Sequence, residues 1–221
     1  MGPSTALAIA VTSTAAVVAV AVGTTTPAVA DGDGDHHTER AAEVRIVAPA
    51  RQDVVGVAGR GWAVDLRVTV HGRDALARSG FSPQLTGPAA HASTAPFPGA
   101  FAPGADEALP GLVVLDSTTA IGAGAGQNLA GLFNLTALTD LRPDRVSVMD
   151  TWIVGAPSFG TSTRSTILAA VVDDLDQDGR YDDAPAVVPD ADGDGDVDAR
   201  DLRALGLASR VASVDFVVTG P

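Results

Sequence analysis

The feature that most constrains the fold of this sequence is the strict alternation between Trp62 and Val70. Apolar residues occupy every second position of this stretch, and mainly polar residues stand between them. Successive side chains of a β-strand point to opposite faces of a sheet, so this period of two predicts a strand with one buried face. Six other short apolar runs rich in Val, Leu and Ile also predict strands, at residues 44–47, 54–57, 112–115, 146–154, 167–172 and 211–218.

Seven short strands in a chain of 221 residues predict a mainly β fold, an antiparallel β-sandwich of immunoglobulin-like type. Aromatic residues make up only 4% of the chain, so the core is expected to consist of Val, Leu, Ile and Ala. Leu129, Phe133 and Leu138 stand near helical spacing and predict one sizeable helix at 127–141. We expect residues 44–221 to form a single β-rich domain.

The amino terminus has the pattern of an export signal. Residues 6–22 are apolar apart from Thr12, Ser13 and Thr14, and Ala28 and Ala30 form the small-residue pattern read by signal peptidase. We therefore expect 1–30 to be a signal peptide, cleaved after Ala30 to give a secreted protein. No basic residue occurs in the first five positions, and an uncleaved membrane anchor is the alternative interpretation.

Residues 31–43 are polar and glycine-rich, which predicts a flexible acidic leader. All 14 basic residues are Arg, and the absence of Lys beside abundant Ala, Val and Gly is typical of GC-rich bacteria or of acidic halophiles. The chain has no Cys, which excludes disulfides and thiolate metal sites. Its formal charge of −13 would repel phosphate backbones, so nucleic acid is not expected as a partner.

The acidic residues are concentrated near the carboxyl terminus. Twelve of the 27 fall between Asp173 and Asp201, a density that favours a bound cation. Residues 190–201 fit the twelve-residue EF-hand calcium loop in register, with Gly195 at the sixth position, where the chain turns sharply. Magnesium is less suitable, because it prefers a smaller octahedral shell. The predicted ligands are Asp190, Asp192, Asp194, Asp196 through its carbonyl, Asp198 through water, and Asp201.

This loop resembles the calcium loops of dockerin modules, which also have Asp at the last position, and it is similar to thrombospondin type 3 repeats. The resemblance covers about a dozen residues and the start of a short helix whose apolar face begins with Leu202. A dockerin has two loop-helix units, whereas one complete unit is found here.

A second, less complete loop is predicted at 174–185. Its first, third, fifth and ninth positions are Asp174, Asp176, Asp178 and Asp182, and its sixth is Gly. The twelfth position is Pro, which offers no side-chain ligand, so Asp183 or a neighbouring loop would have to complete the shell.

These features predict a secreted calcium-binding β-domain without catalytic activity, which acts in adhesion or binds an extracellular protein or polysaccharide. After cleavage of the signal, no membrane contact is expected. Two alternatives stay open: a dockerin-like module that docks on a cohesin-type partner, and a secreted hydrolase with structural calcium. No G-x-S-x-G or H-E-x-x-H motif occurs. Asp150 beside Trp152 suggests a carboxylate in a cleft, but strand alternation accounts for it equally well as an outward-facing charge.

Overall fold

The computed structural model describes residues 40–57, 60–80, 109–116, 125–133, 135–154 and 162–219. The chain divides into two compact units, Met1–Thr38 and Glu39–Pro221, and all the described residues belong to the second. The predicted signal peptide and the leader up to residue 39 therefore lie outside the described residues. The first strand begins at Ala42, so the last two residues of the predicted leader, 42 and 43, belong to it.

Eight strands of the described residues form two four-stranded sheets. Sheet A is antiparallel throughout and has the order β1-β3-β6-β5, with β1 (Ala42–Ala48), β3 (Trp62–His71), β5 (Leu135–Arg142) and β6 (Arg145–Val154). Sheet B has the order β2-β8-β7-β4, with β2 (Val54–Val55), β4 (Leu112–Asp116), β7 (Thr163–Val171) and β8 (Ala212–Val218). The short β2 runs parallel to β8, and the other pairs of sheet B are antiparallel. The prediction of a mainly β, sandwich-like fold is confirmed.

The core lies between the two sheets and is mainly aliphatic, as the composition predicts. The inward-facing Val64, Leu66 and Val68 of β3 are each 2% exposed or less, and they share one buried cluster with Ile167 and Phe216 of sheet B. Complete burial of such side chains contributes about 1.5–3 kcal/mol each. The alternating apolar residues of β3 therefore explain why one face of this strand is buried between the two sheets.

The predicted helix at 127–141 is wrong. A single 3-10 turn spans Ala130–Leu132, and the strand β5 follows it. Gly131 in the middle of the segment disfavours a helix. The register of β5 against β6 shifts between Leu138 and Asp140, and this irregularity removes the period of two from the sequence.

Two short helices complete the fold of the described residues, α1 (Ala75–Arg78) and α2 (Ala199–Ala204). Among these residues no helix is long and apolar enough to span a membrane. The segment around α2 covers the outer face of sheet B. There Leu202 is fully buried in a second apolar cluster, which we call the outer cluster and which contains Val113, Leu115, Leu168, Val172, Val188 and Leu202.

Candidate metal centre

Both acidic segments lie in the connection between β7 and β8, which runs from residue 172 to 211. We call residues 174–185 loop 1 and residues 190–201 loop 2. The connection first passes the edge strand β4 and then returns over the outer face of sheet B with α2. The fold therefore fixes both ends of the acidic region against the sandwich.

In loop 2, backbone amides hold the first carboxylates in place. Both oxygens of Asp190 accept hydrogen bonds, Oδ1 from the N–H of Gly193 at 2.7 Å and Oδ2 from the N–H of Gly195 at 2.9 Å. Asp192 Oδ1 accepts from the N–H of Asp194 at 3.3 Å. One oxygen from each of these three aspartates lies within 4.8 Å of the other two.

Loop 1 repeats three of the internal hydrogen bonds of loop 2 at the same positions. Asp174 Oδ2 accepts from the N–H of Gly179 at 2.8 Å, and Asp176 Oδ1 accepts from the N–H of Asp178 at 3.0 Å. Asp178 Oδ1 accepts from the N–H of Arg180 at 2.8 Å. The corresponding bonds of loop 2 join the first and sixth, third and fifth, and fifth and seventh positions. The two loops are therefore structural repeats, 16 residues apart.

The backbone angles of the two loops agree as well. The sixth residues, Gly179 and Gly195, both have a φ of 93°, in the region that favours glycine. The fourth residues, Gln177 and Gly193, have φ values of 63° and 72°. A turn with two left-handed residues brings the early carboxylates of each loop to the same side. The glycine at the sixth position, identified in both loops from the sequence, has the conformation that the loop pattern requires.

The oxygen spacing is compatible with a bound metal ion. Two oxygens that bind one calcium ion at about 2.4 Å can lie at most about 4.8 Å apart. In two groups of three aspartates the ligand atoms meet this limit: Asp174, Asp176 and Asp183, and Asp190, Asp192 and Asp194. All six residues offer hard carboxylate oxygens, the donor type that calcium prefers. Each group can therefore hold a metal ion.

The closing carboxylate of loop 1 differs from the one in the predicted ligand set. Asp183 Oδ2 accepts from the N–H of Leu175 at 2.6 Å and from the N–H of Asp176 at 3.1 Å, which brings Asp183 into the group of three. Asp182 stands outside that group. Burial raises the pKa of the Asp182 carboxyl, and the nearby charges of Asp178 and Asp183 raise it further. Ligation by Asp178 and Asp182 stays a prediction.

The last position of loop 2 is occupied by a buried carboxylate. Asp201 is 2% exposed, and its oxygens accept hydrogen bonds at 2.7 Å from the N–H groups of Ala191 and Asp198. These amides hold the pKa of the Asp201 carboxyl below its usual value. Asp198 Oδ1 accepts from the N–H of Arg200 at 2.6 Å and caps α2. Asp201 thus joins the start of loop 2 to α2. The predicted calcium ligation by Asp196, Asp198 and Asp201 stays a prediction.

The eighth residue of each loop anchors it to the sandwich. Val197 of loop 2 packs against the outer cluster, and Tyr181 of loop 1 is 2% exposed within the main core. The guanidinium carbon of Arg78 lies 4.8 Å from the centre of the Tyr181 ring, and Arg78 also donates a hydrogen bond to its hydroxyl. Burial raises the pKa of this hydroxyl. Loop 1 also approaches β4 closely, because a Cβ on Gly111 would lie 2.1 Å from the carbonyl oxygen of Tyr181.

Asn128 is a supporting residue that the sequence did not reveal. Its Oδ1 accepts from the N–H groups of Val114 and Ala130, both at 3.0 Å. Its Nδ2 donates to the carbonyls of Leu112 at 3.0 Å and of Pro185 at 3.1 Å. One amide therefore connects β4 to the end of loop 1. A lone Asn after a glycine-rich stretch carries no sequence pattern that would have identified this role.

The interpretation of Asp150 as an outward-facing charge is wrong. Asp150 is fully buried, and the hydroxyl of Thr136 donates a hydrogen bond to its Oδ1 at 2.9 Å. It has the same strand parity as the core residues Val146 and Val148. The carboxylate therefore points into the sandwich, with a cross-strand threonine as a partner.

No protein-family model, curated protein or solved structure matches this chain. The metal groups and the fold therefore have to carry the functional argument by themselves.

Proposed function

We propose that this chain is a secreted, non-catalytic β-domain that binds two calcium ions, one in each acidic loop. Calcium fixes the β7–β8 connection on the sandwich, and the domain serves adhesion or interaction outside the cell. The observation that carries the proposal is that each loop gathers three carboxylates, two of them from its first and third positions. In each loop, three carboxylate oxygens lie close enough together to bind one calcium ion.

The position of the loops supports a structural role for the ion. Loop 1 is anchored in the main core through Tyr181, and loop 2 continues into α2, whose Leu202 is fully buried in the outer cluster. Without a cation, the carboxylates of each loop repel one another across a short distance. Calcium would remove this repulsion and hold the segment between the two anchors in its folded shape.

The strand order supports an immunoglobulin-like architecture. Sheet A has the order β1-β3-β6-β5, and the long strands of sheet B have the order β8-β7-β4. These orders correspond to the strand sets A-B-E-D and G-F-C of immunoglobulin sandwiches. In that correspondence both calcium loops lie in the connection between strands F and G, which in many such domains belongs to the binding end.

The two alternatives have less support. A dockerin-like module would present its loop helix to a partner, whereas Leu202 of α2 is buried against sheet B. Two facing carboxylates in a cleft would favour a hydrolase. The two groups of three acidic residues found among the described residues lie instead on the β7–β8 connection, with Asp190, Asp192 and Asp194 all exposed.

Calorimetric titration of the chain with calcium tests the proposal. We expect saturable binding of two ions per chain. The variant Asp190→Asn with Asp192→Asn should bind one ion, because the substitution removes two charged ligands and keeps the size of the side chains. The control Asp144→Asn with Asp215→Asn removes the same charge on other loops and strands, and it should still bind two.

Two results would count against calcium binding at these loops. One is the absence of binding heat at millimolar calcium. The other is an equal loss of binding in the loop variant and in the control, since a general charge effect would then explain the heat. Expression of the full-length chain and recovery from culture medium of a product whose first residue is 31 would test secretion separately.

A further inference from the structure

A cluster of arginines lies on the outer face of sheet A, away from the core. Strands β1, β3 and β6 contribute Arg45, Arg67 and Arg145 to a concave site of about 340 Å³. Thr69 and Ser147 line the same site, and their hydroxyl oxygens are 2.9 Å apart. Hydroxyl groups and guanidinium groups are therefore exposed to one shallow depression.

The strand register places two guanidinium groups opposite one another in this site. Arg45 pairs directly with Arg67 across β1 and β3. Directly opposed residues have Cβ atoms about 4.5–5.5 Å apart, and like charges at this position destabilise a sheet. An unfavourable pair of this kind is expected where a ligand supplies the missing charge.

The neighbouring acids neutralise only part of this charge. Glu43 and Asp140 also line the site, and Asp140 is engaged by Arg142 and Arg145. The guanidinium of Arg145 lowers the pKa of the Asp140 carboxyl, which therefore stays ionised at neutral pH.

The charges of the other two arginines are not neutralised by an acidic partner in the described part of the chain. Arg45 and Arg67 form no ion pair within 4.0 Å with any residue of the described ranges. The site thus holds three guanidinium groups against two carboxylates, in a chain whose formal charge is −13.

Arg145 carries one donor that the described residues leave unsatisfied. Its Nε–H is buried and has no hydrogen-bond acceptor among them, which costs stability. Phe, Tyr and Trp are absent from the described lining, so recognition by ring stacking is not expected here.

We propose that this face of sheet A binds a compact oxyanion, the carboxylate or sulfate group of an acidic ligand. The planar guanidinium fork of Arg matches two oxygens of such a group. Thr69 and Ser147 share one hydrogen bond, so one of the two hydroxyls keeps a proton to donate to the ligand. This site lies on sheet A, whereas the β7–β8 connection covers sheet B. The anion proposal therefore does not rest on the calcium proposal.

Titrations of the full chain with sodium sulfate and with sodium acetate, each against sodium chloride at the same ionic strength, test this site. We expect saturable binding of at least one of the two anions, and the tighter one identifies the group. The variant Arg45→Gln with Arg67→Gln should weaken that binding by at least about tenfold, since it removes charge-assisted hydrogen bonds. The control Arg60→Gln with Arg164→Gln changes the charge of the chain equally and should leave the binding unchanged.

The variant Arg67→Lys keeps the charge and removes the two-pronged geometry, so it should weaken sulfate or acetate binding even if the double variant fails to fold. Binding that is no stronger than in sodium chloride would overturn the proposal. Equal affinities for the wild-type chain, Arg67→Lys and the double variant would overturn it as well.

Discussion

Calcium removal gives the most informative prediction, because its effect on stability follows from the number of metal groups. Each loop brings three carboxylates within the span of one ion, so two ions are expected. Extracellular calcium modules bind with dissociation constants of about 0.1–1 mM. At about 10 mM calcium, each ion would then add about 1.4–2.7 kcal/mol to the free energy of unfolding. For a domain of this size, two ions should raise the melting temperature by about 6–20 °C.

Thermal unfolding followed by circular dichroism, with calcium or with a chelator, measures this shift. Two double variants should each lose about half of this shift in melting temperature: Asp174→Asn with Asp176→Asn in loop 1, and Asp190→Asn with Asp192→Asn in loop 2. The reason is that the two metal groups share no ligand among the described residues. Without calcium, both variants should melt at or above the wild-type temperature, since the carboxylate repulsion is reduced. A melting temperature that is the same with calcium and with chelator would refute this reasoning. Variants that lose stability equally in both conditions would do so as well.

Three further perturbations test the packing, the hydrogen bonding and one ion pair of the domain. Leu202→Ala should lower the free energy of unfolding by about 2–5 kcal/mol in urea titrations, because it opens a cavity in the outer cluster, whereas the exposed Leu141→Ala should change it little. Asn128→Ala removes four hydrogen bonds and should cost about 2–4 kcal/mol in the same assay; a cost near zero would contradict its supporting role. The pKa of Asp140 is lowered by Arg145, so its stabilising contribution should be complete above about pH 4 and lost as the pH falls further. Melting curves of the wild-type chain and of Asp140→Asn should therefore converge in acid, and a constant difference down to low pH would contradict the ion pair.

The parts of the fold that the sequence predicts well are those in which one face of a strand is buried. The Trp62 stretch alternates strictly, and its apolar residues face the core. Strand β5 was missed because a register shift after Leu138 interrupts its alternation, and because Leu129 and Phe133 imitate a helical period. Strands β4 and β7 contain unbroken apolar runs, since the outer cluster covers their second face. That covering depends on distant residues, so sequence periodicity could not reveal it.

The candidate site was predictable to a similar extent. The early positions of each loop follow from Asp and Gly spacing, and the glycine angles agree with that spacing. Asp183 was one of two alternatives for completing loop 1, and the twelve-residue template could not choose between them, because the chain returns toward Leu175 two residues before the template ends. Aligning the two loops would have placed Tyr181 opposite Val197 and indicated a shared anchoring position.

A crystal structure of the chain grown with calcium would show directly whether both loops bind the ion. Two ions are expected. One should lie about 2.3–2.6 Å from oxygens of Asp174, Asp176 and Asp183, and the other at the same distance from oxygens of Asp190 and its two neighbouring ligands. Well-ordered loops that contain only water at both positions, at saturating calcium, would contradict the proposed calcium binding.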